Sequence, residues 1–208
     1  MSKHIDEKPV QVVVNGRVAL MLLTNAEDPI HLVIGALYTE KIISSYSEVE
    51  SIQVDETLVS VVTKNPFSIL LSRKTVLTGC GGSSSFLDTG KLDRVISNIS
   101  VEDVDLNDLA AKLPKTTWFS GILVDTSGVL TEVTDVSAQS VMDRMIGYGL
   151  TQGISFSDTL VLLKGNISIE SMRKAVIAGI PIVCIHGEVT QPALQTASDS
   201  GVLLQMIF

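Results

Sequence analysis

The sequence predicts an α/β protein with a β-rich N-terminal part and an α/β C-terminal part. Two observations support this prediction. In the first third of the chain, short β-rich runs come in pairs that are joined by turn sequences. In the last third, runs that are apolar throughout alternate with helical patterns, which indicates parallel strands buried on both faces of a sheet.

The N-terminal elements are predicted to be two strand pairs with a helix between them. Asn15-Gly16 joins the first pair, and this dipeptide is the strongest short signal for a hairpin turn. Asp55-Glu56 joins the second pair, and Phe67–Leu71 is a further short strand. The predicted ranges are the strands Val10–Val14, Arg17–Thr24, Val49–Val54 and Leu58–Thr63 and the helix Ile30–Ile43.

The C-terminal elements follow a hairpin and then an alternating order. Asp105 is the predicted N-cap of the first helix, and Gly179 and Gly201 end two later helices. The pattern over Leu92–Ile99 does not distinguish a helix from a strand. The predicted helices are Val104–Leu113, Val136–Leu150, Ile169–Ala178 and Pro192–Ser198, and the predicted strands are Phe119–Val124, Val129–Val133, Thr159–Leu163, Ile180–Ile185 and Val202–Phe208.

Composition excludes several classes of protein. Of the 208 residues, 45% are hydrophobic and 18% are charged, which predicts a folded globular chain. The net charge of −8 argues against non-specific nucleic-acid binding. No apolar run approaches the ~20 residues that span a bilayer, and Met1–Pro9 lacks the apolar core of a signal peptide. Because two cysteines are too few for a disulfide framework, we expect a cytoplasmic protein with free thiols and no membrane partner.

Cys80 is the strongest candidate for a reactive residue. It lies in Gly79–Ser85, a stretch of glycines and serines that would leave its sulfur accessible to a second molecule. A thiol reacts as the thiolate, whose pKa falls near positive charge, and Arg73 and Lys74 are close in sequence. The alternative is that Cys80 is a small buried hydrophobe. We expect Cys184, in an apolar run, to be a core residue.

A second candidate site lies where two apolar strands end. Lys164-Gly165-Asn166 follows one strand and His186-Gly187-Glu188 follows the next, and Ser168 and Thr190 are the predicted caps of the helices after them. Ligands bind beyond the carboxyl ends of strands in open α/β sheets, and a helix N-terminus with small residues suits an anion. The alternative is that Gly165 and Gly187 only form tight turns.

No metal site is expected. His186-Gly187-Glu188 matches the H-x-E of zinc-dependent deaminases, but these enzymes need two further cysteines in P-C-x-x-C. Here Pro192 is followed by Ala193, and no cysteine follows Cys184. The charged residues Asp135, Asp143 and Arg144 are expected to be solvated, as surface charges usually are.

The order of elements and several motifs resemble the FdhD family of accessory sulfurtransferases, which activate formate dehydrogenase. Leu32–Ile43 resembles a helix that ends in "GFLFSEGII", and Cys80–Ser83 stands where the family has C-G-x-C. The remaining similar segments are Val12–Gly16, Glu50–Ile52 ("IESI"), Asp135–Gly147 ("DVGRHNALDKVIG"), Leu163–Glu170 ("VSGRVSFE") and Ala178–Val183 ("AGIPVLV").

The resemblance implies a function and a site. Sulfur would pass from a cysteine desulfurase to Cys80 as a persulfide, and then to the molybdenum or tungsten bis-guanylyl-pterin cofactor of formate dehydrogenase. The nucleotide part of that cofactor, or GDP as its mimic, would bind transiently in the C-terminal domain, at Lys164, Gly165, Asn166 and Gly187. No tightly bound cofactor is required.

The resemblance also implies an architecture. The C-terminal domain would be a cytidine-deaminase-like three-layer α/β/α domain with a mixed, mostly parallel sheet, and the protein would form a homodimer. The change of pattern along the chain itself predicts the division: a β-rich subdomain over 1–75, a Gly/Ser loop with Cys80 over 76–90, and the α/β domain over 91–208.

Departures from the family motifs leave a second hypothesis open. The second cysteine of C-G-x-C is Ser83, the family's G-R-H is Ser137–Gln139, and its arginine in "SGR" is Asn166. Lys115–Phe119 does not match the family's T-G-G-x-H. Lost cationic contacts weaken the binding of an anionic nucleotide. The alternative function is therefore a non-catalytic binding or assembly protein that has lost cofactor binding.

Overall fold

Two five-stranded sheets and five α-helices make up the described part of the chain. The structure is a computed structural model that describes residues 7–65, 76–77, 92–116 and 118–207. The strands are β1 (Lys8–Val14), β2 (Arg17–Thr24), β3 (Val49–Asp55), β4 (Leu58–Thr63), β5 (Val76–Leu77), β6 (Phe119–Asp125), β7 (Gly128–Asp135), β8 (Leu160–Lys164), β9 (Ile182–His186) and β10 (Leu203–Met206). The helices are α1 (Ile30–Thr39), α2 (Leu106–Lys112), α3 (Ala138–Gln152), α4 (Ile169–Ala178) and α5 (Gln191–Ser200).

The first sheet has the strand order β3-β4-β1-β2-β5 and contains both predicted N-terminal hairpins. Asn15 and Gly16 adopt left-handed backbone conformations with φ values of 50° and 78°, as a two-residue hairpin turn requires. β1 pairs with β4 in parallel, which joins the two hairpins into one sheet. α1 covers one face of this sheet and buries its apolar side against β1, β2 and β4.

The second sheet has the order β10-β9-β8-β6-β7, in which β8, β9 and β10 are parallel and β6 is antiparallel to both of its neighbours. Helices cover both faces. Leu163 belongs to a cluster with residues of α3, α4 and α5, whereas Leu162 belongs to a cluster on the side of α2. The strands are therefore buried on both faces, which explains why their sequences are apolar throughout.

The two sheets are joined through α1 and α3, which pack against each other at two glycines. A Cβ atom on Gly35 would overlap the backbone carbonyl of Asp143, and one on Gly147 would overlap the backbone carbonyl of His31. The two helices therefore cross with their backbones in contact. α1 thus lies between the first sheet and α3, and Tyr38 packs against the cores of both sheets.

α1 is shorter than the sequence predicts. The predicted helix runs to Ile43, but α1 ends at Thr39 because Lys41 adopts a left-handed conformation with φ 58°. The N–H of Ile42 then donates to the carbonyl of Leu37 at 2.8 Å, and this bond closes the helix end. Ile42 and Ile43 are still buried, so their apolar character reflects packing of the turn rather than a continued helix.

The remaining predicted elements agree with the structure to within a few residues. Asp105 caps α2 as predicted, since its carboxylate accepts from the N–H groups of Asn107 and Asp108. Leu92–Ile99 forms neither helix nor strand, and the predicted strand Phe67–Leu71 lies outside the described residues. Within the part of the chain that the structure describes, no helix has the length and hydrophobicity needed to cross a membrane.

Candidate functional site

The candidate site lies at the carboxyl edge of the second sheet, defined here as the loops 165–168 after β8 and 187–190 after β9. Because β7, β8 and β9 point the same way, the helices that follow them, α3, α4 and α5, all begin at this edge. The two loops run side by side. The N–H of Gly165 donates to the carbonyl of His186 at 3.1 Å, and the N–H of Ile167 donates to that of Glu188 at 2.8 Å.

The four predicted binding residues, Lys164, Gly165, Asn166 and Gly187, lie together at this edge. Both glycines have a steric reason to be there. A Cβ on Gly187 would overlap the carbonyl oxygen of Gly165, and one on Gly165 would overlap the ring of Phe119. Gly165 also has a φ of 130°, which side-chain-bearing residues rarely adopt. Gly187 is thus explained by the close approach of the two loops, and Gly165 by its φ and by the ring of Phe119 on β6.

Lys164 brings a positive charge to the edge from the side of α2. It is paired with Ser120 on β6 and His186 on β9, so these three side chains form a row on one face of the sheet. Its Nζ donates to the backbone carbonyl of Thr116 at 2.6 Å. Among the described residues no carboxylate forms an ion pair with Lys164, so none of these neighbours neutralises its charge.

Asn166 joins the two loops through its side chain. Its Oδ1 accepts from the backbone N–H of Glu188 at 3.2 Å. Glu188 is itself exposed in the neighbouring loop, where its negative charge opposes an incoming anion. The residue that stands in place of the family's arginine therefore stabilises the loop pair and contributes no positive charge.

The first turns of α4 and α5 follow the predicted N-cap residues. Ser168 and Thr190 occupy the N-cap positions, which confirms the predicted helix starts, but neither side chain makes the capping hydrogen bond that such a residue usually provides. The first N–H groups of α4 therefore have no side-chain cap and can donate hydrogen bonds to a ligand oxygen. Gln139 Nε2 in the first turn of α3 donates to Ser168 Oγ at 3.3 Å and links the two helix starts.

The structure describes one of the two cysteines, Cys184. Cys80 and Ser83 lie outside the described residues. Cys184 is fully buried in the cluster between the second sheet and α2, as predicted. Burial raises the pKa of its thiol from 9.0 to about 11. Cys184 is therefore protonated and unreactive at neutral pH.

The expectation that Asp135 and Asp143 are solvated is wrong, because both are buried. The Asp143 carboxylate binds Lys174 Nζ and Thr39 Oγ1, and Asp135 accepts from Thr24 Oγ1 at 2.7 Å. One feature of the sequence indicates that Asp143 is buried. It lies four residues before Gly147, on the same helical face, and that face packs against α1.

Across the described residues, no group of three or more His, Cys, Asp or Glu side chains is arranged to hold a metal ion. His186 and Glu188 of the H-x-E motif are both exposed.

These features define a two-sheet α/β protein with a polar, glycine-lined edge where three helices begin. The model of the FdhD/NarQ family matches residues 5–207, so the chain belongs to this family.

Relatives in this family carry names that describe a function. The chain is similar to the sulfur carrier protein FdhD of Bacillus subtilis, with 26% identity over 216 residues that cover 96% of this chain and 82% of the relative. It is also similar to the sulfur carrier protein FdhD of Saccharolobus solfataricus, with 27% identity over 89% of this chain and 76% of the relative.

A crystal structure shares the fold. It is that of a protein from Desulfotalea psychrophila described as a formate dehydrogenase accessory protein, with a TM-score of 0.77 and 17% identity. The match covers 96% of this chain and 81% of that one.

Proposed function

We propose that this protein is an accessory sulfurtransferase that carries sulfur from a cysteine desulfurase to the cofactor of formate dehydrogenase. The observation that carries the proposal is the match of the FdhD/NarQ family over residues 5–207, with relatives that are named sulfur carriers. The sulfur is received on Cys80, and the acceptor is the molybdenum or tungsten bis-guanylyl-pterin cofactor.

The chemistry needs one accessible thiolate. The thiolate of Cys80 attacks the outer sulfur of the desulfurase persulfide, a new S–S bond forms, and the desulfurase cysteine leaves as a thiolate. Electrons balance without an external oxidant. Cys184 is a poor alternative acceptor, because it is fully buried and burial raises its pKa to about 11. With Ser83 in place of a second loop cysteine, the persulfide has no thiol partner at that position.

The carboxyl edge is the proposed place for the guanine nucleotide part of the cofactor, or for GDP. Support comes from Lys164, which has no ion-pair partner among the described residues, and from the first turn of α4, which has no side-chain cap. The residues present fit this group in part, since backbone N–H groups and one cation are available while the family's arginines and histidine are absent. The strand order, with β6 antiparallel among four strands of one direction, supports the proposed cytidine-deaminase-like fold.

Incubation with a cysteine desulfurase and cysteine, followed by mass spectrometry of peptides, tests the sulfur step. We expect one added sulfur atom on Cys80 and none on Cys184. The matched controls are Cys80→Ala, which should receive no sulfur, and Cys184→Ala, which should receive it normally. Sulfur on neither thiol, or on Cys184 alone, would overturn the proposal.

A second candidate function is that of a non-catalytic assembly protein that has lost cofactor binding. The engagement of Asn166 with the neighbouring loop, where the family has an arginine, favours it. It predicts that Cys80→Ala still supports formate dehydrogenase maturation. If the alanine variant abolishes maturation, this second function is excluded.

The partners and location follow from the same proposal. Formate dehydrogenase and a cysteine desulfurase are the proposed partners, in the cytoplasm, and the active form is a homodimer. Sedimentation of the purified chain at the mass of a monomer across micromolar concentrations would rule out the dimer.

A further inference from the structure

A buried polar network joins three helices below the carboxyl edge. Lys174 Nζ on α4 donates to both carboxylate oxygens of Asp143 on α3, at 2.9 and 2.8 Å, and to Thr39 Oγ1 on α1 at 2.9 Å. Thr39 Oγ1 donates in turn to Asp143 Oδ1 at 2.8 Å. All three residues are at least 97% buried. The carboxylate of Glu40, whose side chain is 16% exposed, also lies 3.8 Å from Lys174 Nζ.

The network lies at the same depth in two helices that begin at the edge. Asp143 is the sixth residue of α3, and Lys174 is the sixth residue of α4. At a rise of 1.5 Å per residue, each therefore lies about 7–8 Å from the start of its helix. The bond between Gln139 and Ser168 ties the same two helices at their first turns. The relative position of the two helix starts is thus fixed at two levels.

The network also connects the edge to the first sheet. Thr39 is the last residue of α1 and lies one turn after Gly35, whose backbone touches the carbonyl of Asp143. Asp143 is therefore held from α1 through its backbone and through its side chain. A shift of α1 against the second sheet would displace Asp143 and, with it, the first turn of α3.

A buried ion pair is a poor device for stability alone. Removing two charges from water is costly, and well-packed apolar residues of similar volume are often equally or more stabilising in such a place. Burial raises the pKa of Asp143, and Lys174 and Thr39 oppose that effect. What the network adds over an apolar contact is a defined geometry, because hydrogen bonds fix distances and directions.

We propose that Thr39, Asp143 and Lys174 are positioning residues for the carboxyl edge: they set the separation of the first turns of α3 and α4 to suit an anionic ligand. The proposal rests on the proposed binding of the cofactor nucleotide at this edge. The residues do not touch the ligand, and they act through Gln139, Ser168 and the backbone N–H groups of the two helix starts.

The double variant Asp143→Leu/Lys174→Met tests whether the network positions the helix starts or only stabilises the fold. We expect its denaturation midpoint to equal or exceed that of the native chain, while its dissociation constant for GDP rises by about tenfold or more. Amide hydrogen exchange of Val141 and Met172, whose N–H groups donate to the carbonyls of Ser137 and Ser168 at the starts of α3 and α4, should become faster in this variant. The matched control is Asp108→Leu/Lys112→Met, which removes the 2.7 Å exposed ion pair of α2 and should leave both edge readouts unchanged.

Thr39→Val keeps the ion pair between Asp143 and Lys174, and it tests the positioning role if the double variant does not fold. We expect weaker GDP binding and faster exchange of the Val141 N–H in α3, with both restored in Thr39→Ser. Native GDP affinity and native exchange in either Thr39→Val or the double variant would overturn the positioning role. If the native chain itself does not bind GDP, the proposed nucleotide site fails, and the exchange readout still decides whether the network positions the helix starts.

Discussion

Individual residues in this chain hold backbone conformations that their side chains disfavour. Asn15, Lys41 and Glu56 are the non-glycine residues with positive φ among those described, at 50°, 58° and 49°. Asn15 tolerates this conformation because a short polar side chain suits it. Lys41 has no such advantage, and the FdhD motif "GFLFSEGII" that it aligns with has a glycine at this position. The turn after α1 therefore carries a local cost that the fold compensates elsewhere.

Lys41→Gly is expected to raise the free energy of unfolding by about 0.5–1 kcal/mol. A residue with a side chain loses about 1–2 kcal/mol of stability in the left-handed conformation, and glycine avoids this cost. The greater conformational freedom of glycine in the unfolded chain offsets part of the gain. Urea denaturation measures the difference. The control is Ser44→Gly, since Ser44 is exposed, lies nearby and does not have a positive φ. This variant should be less stable than the native chain. A Lys41→Gly variant that is less stable than the native chain would show that Lys41 makes a compensating contact.

At the scale of elements, the close crossing of α1 and α3 decides how the two sheets meet. Gly35 and Gly147 each face the backbone of the opposite helix without room for a methyl group. Helices usually pack 8–10 Å apart, and small residues allow a closer approach. The close approach also brings Thr39 within reach of Asp143 and Lys174, so the polar network depends on these two glycines.

Gly147→Ala should lower the free energy of unfolding by about 2–3 kcal/mol, although alanine is the better helix former. The added Cβ would meet the carbonyl oxygen of His31, a backbone atom that cannot rotate away, so the helices must separate. Thermal or urea denaturation measures the loss. Gln152→Ala, at the exposed end of the same helix, is the control and should change stability by less than about 0.5 kcal/mol. Native stability in Gly147→Ala would contradict the account of the crossing.

The sequence predicted what depends on local pattern and missed what depends on distant partners. Uniformly apolar runs located β8, β9 and the helices after them, and the parallel direction of the strands predicted that Lys164 and Gly187 lie together. Whether Ser168 caps its helix, or where α1 ends, depends on single dihedral angles and could not be read from a periodicity. The burial of Asp143 depends on Thr39 and Lys174, which are 104 and 31 residues away in sequence.

At the scale of the whole molecule, the two sheets have separate cores and one shared interface. The first core is built on β1, β2, β4 and α1, and the cores of the second sheet lie on its two faces. α1 belongs to the first core and also packs on α3, and Tyr38 contacts both cores. The hydrogen bond between Thr39 and Asp143 therefore connects the first core to α3, the helix that begins at the carboxyl edge.

This arrangement predicts that both sheets unfold in a single transition. Loss of the first sheet would expose the apolar side of α1 and remove the packing of α1 on α3, so neither sheet retains its stability without the other. Fluorescence of the single tryptophan, Trp118, next to β6, reports on the second sheet, and hydrogen exchange of β1 reports on the first. We expect coincident midpoints in urea for the two probes, and Gly147→Ala should lower both midpoints equally. Exchange of β1 at urea concentrations where Trp118 fluorescence is still native would show that α1 can leave α3 without unfolding the second sheet, and that the two sheets are coupled only weakly.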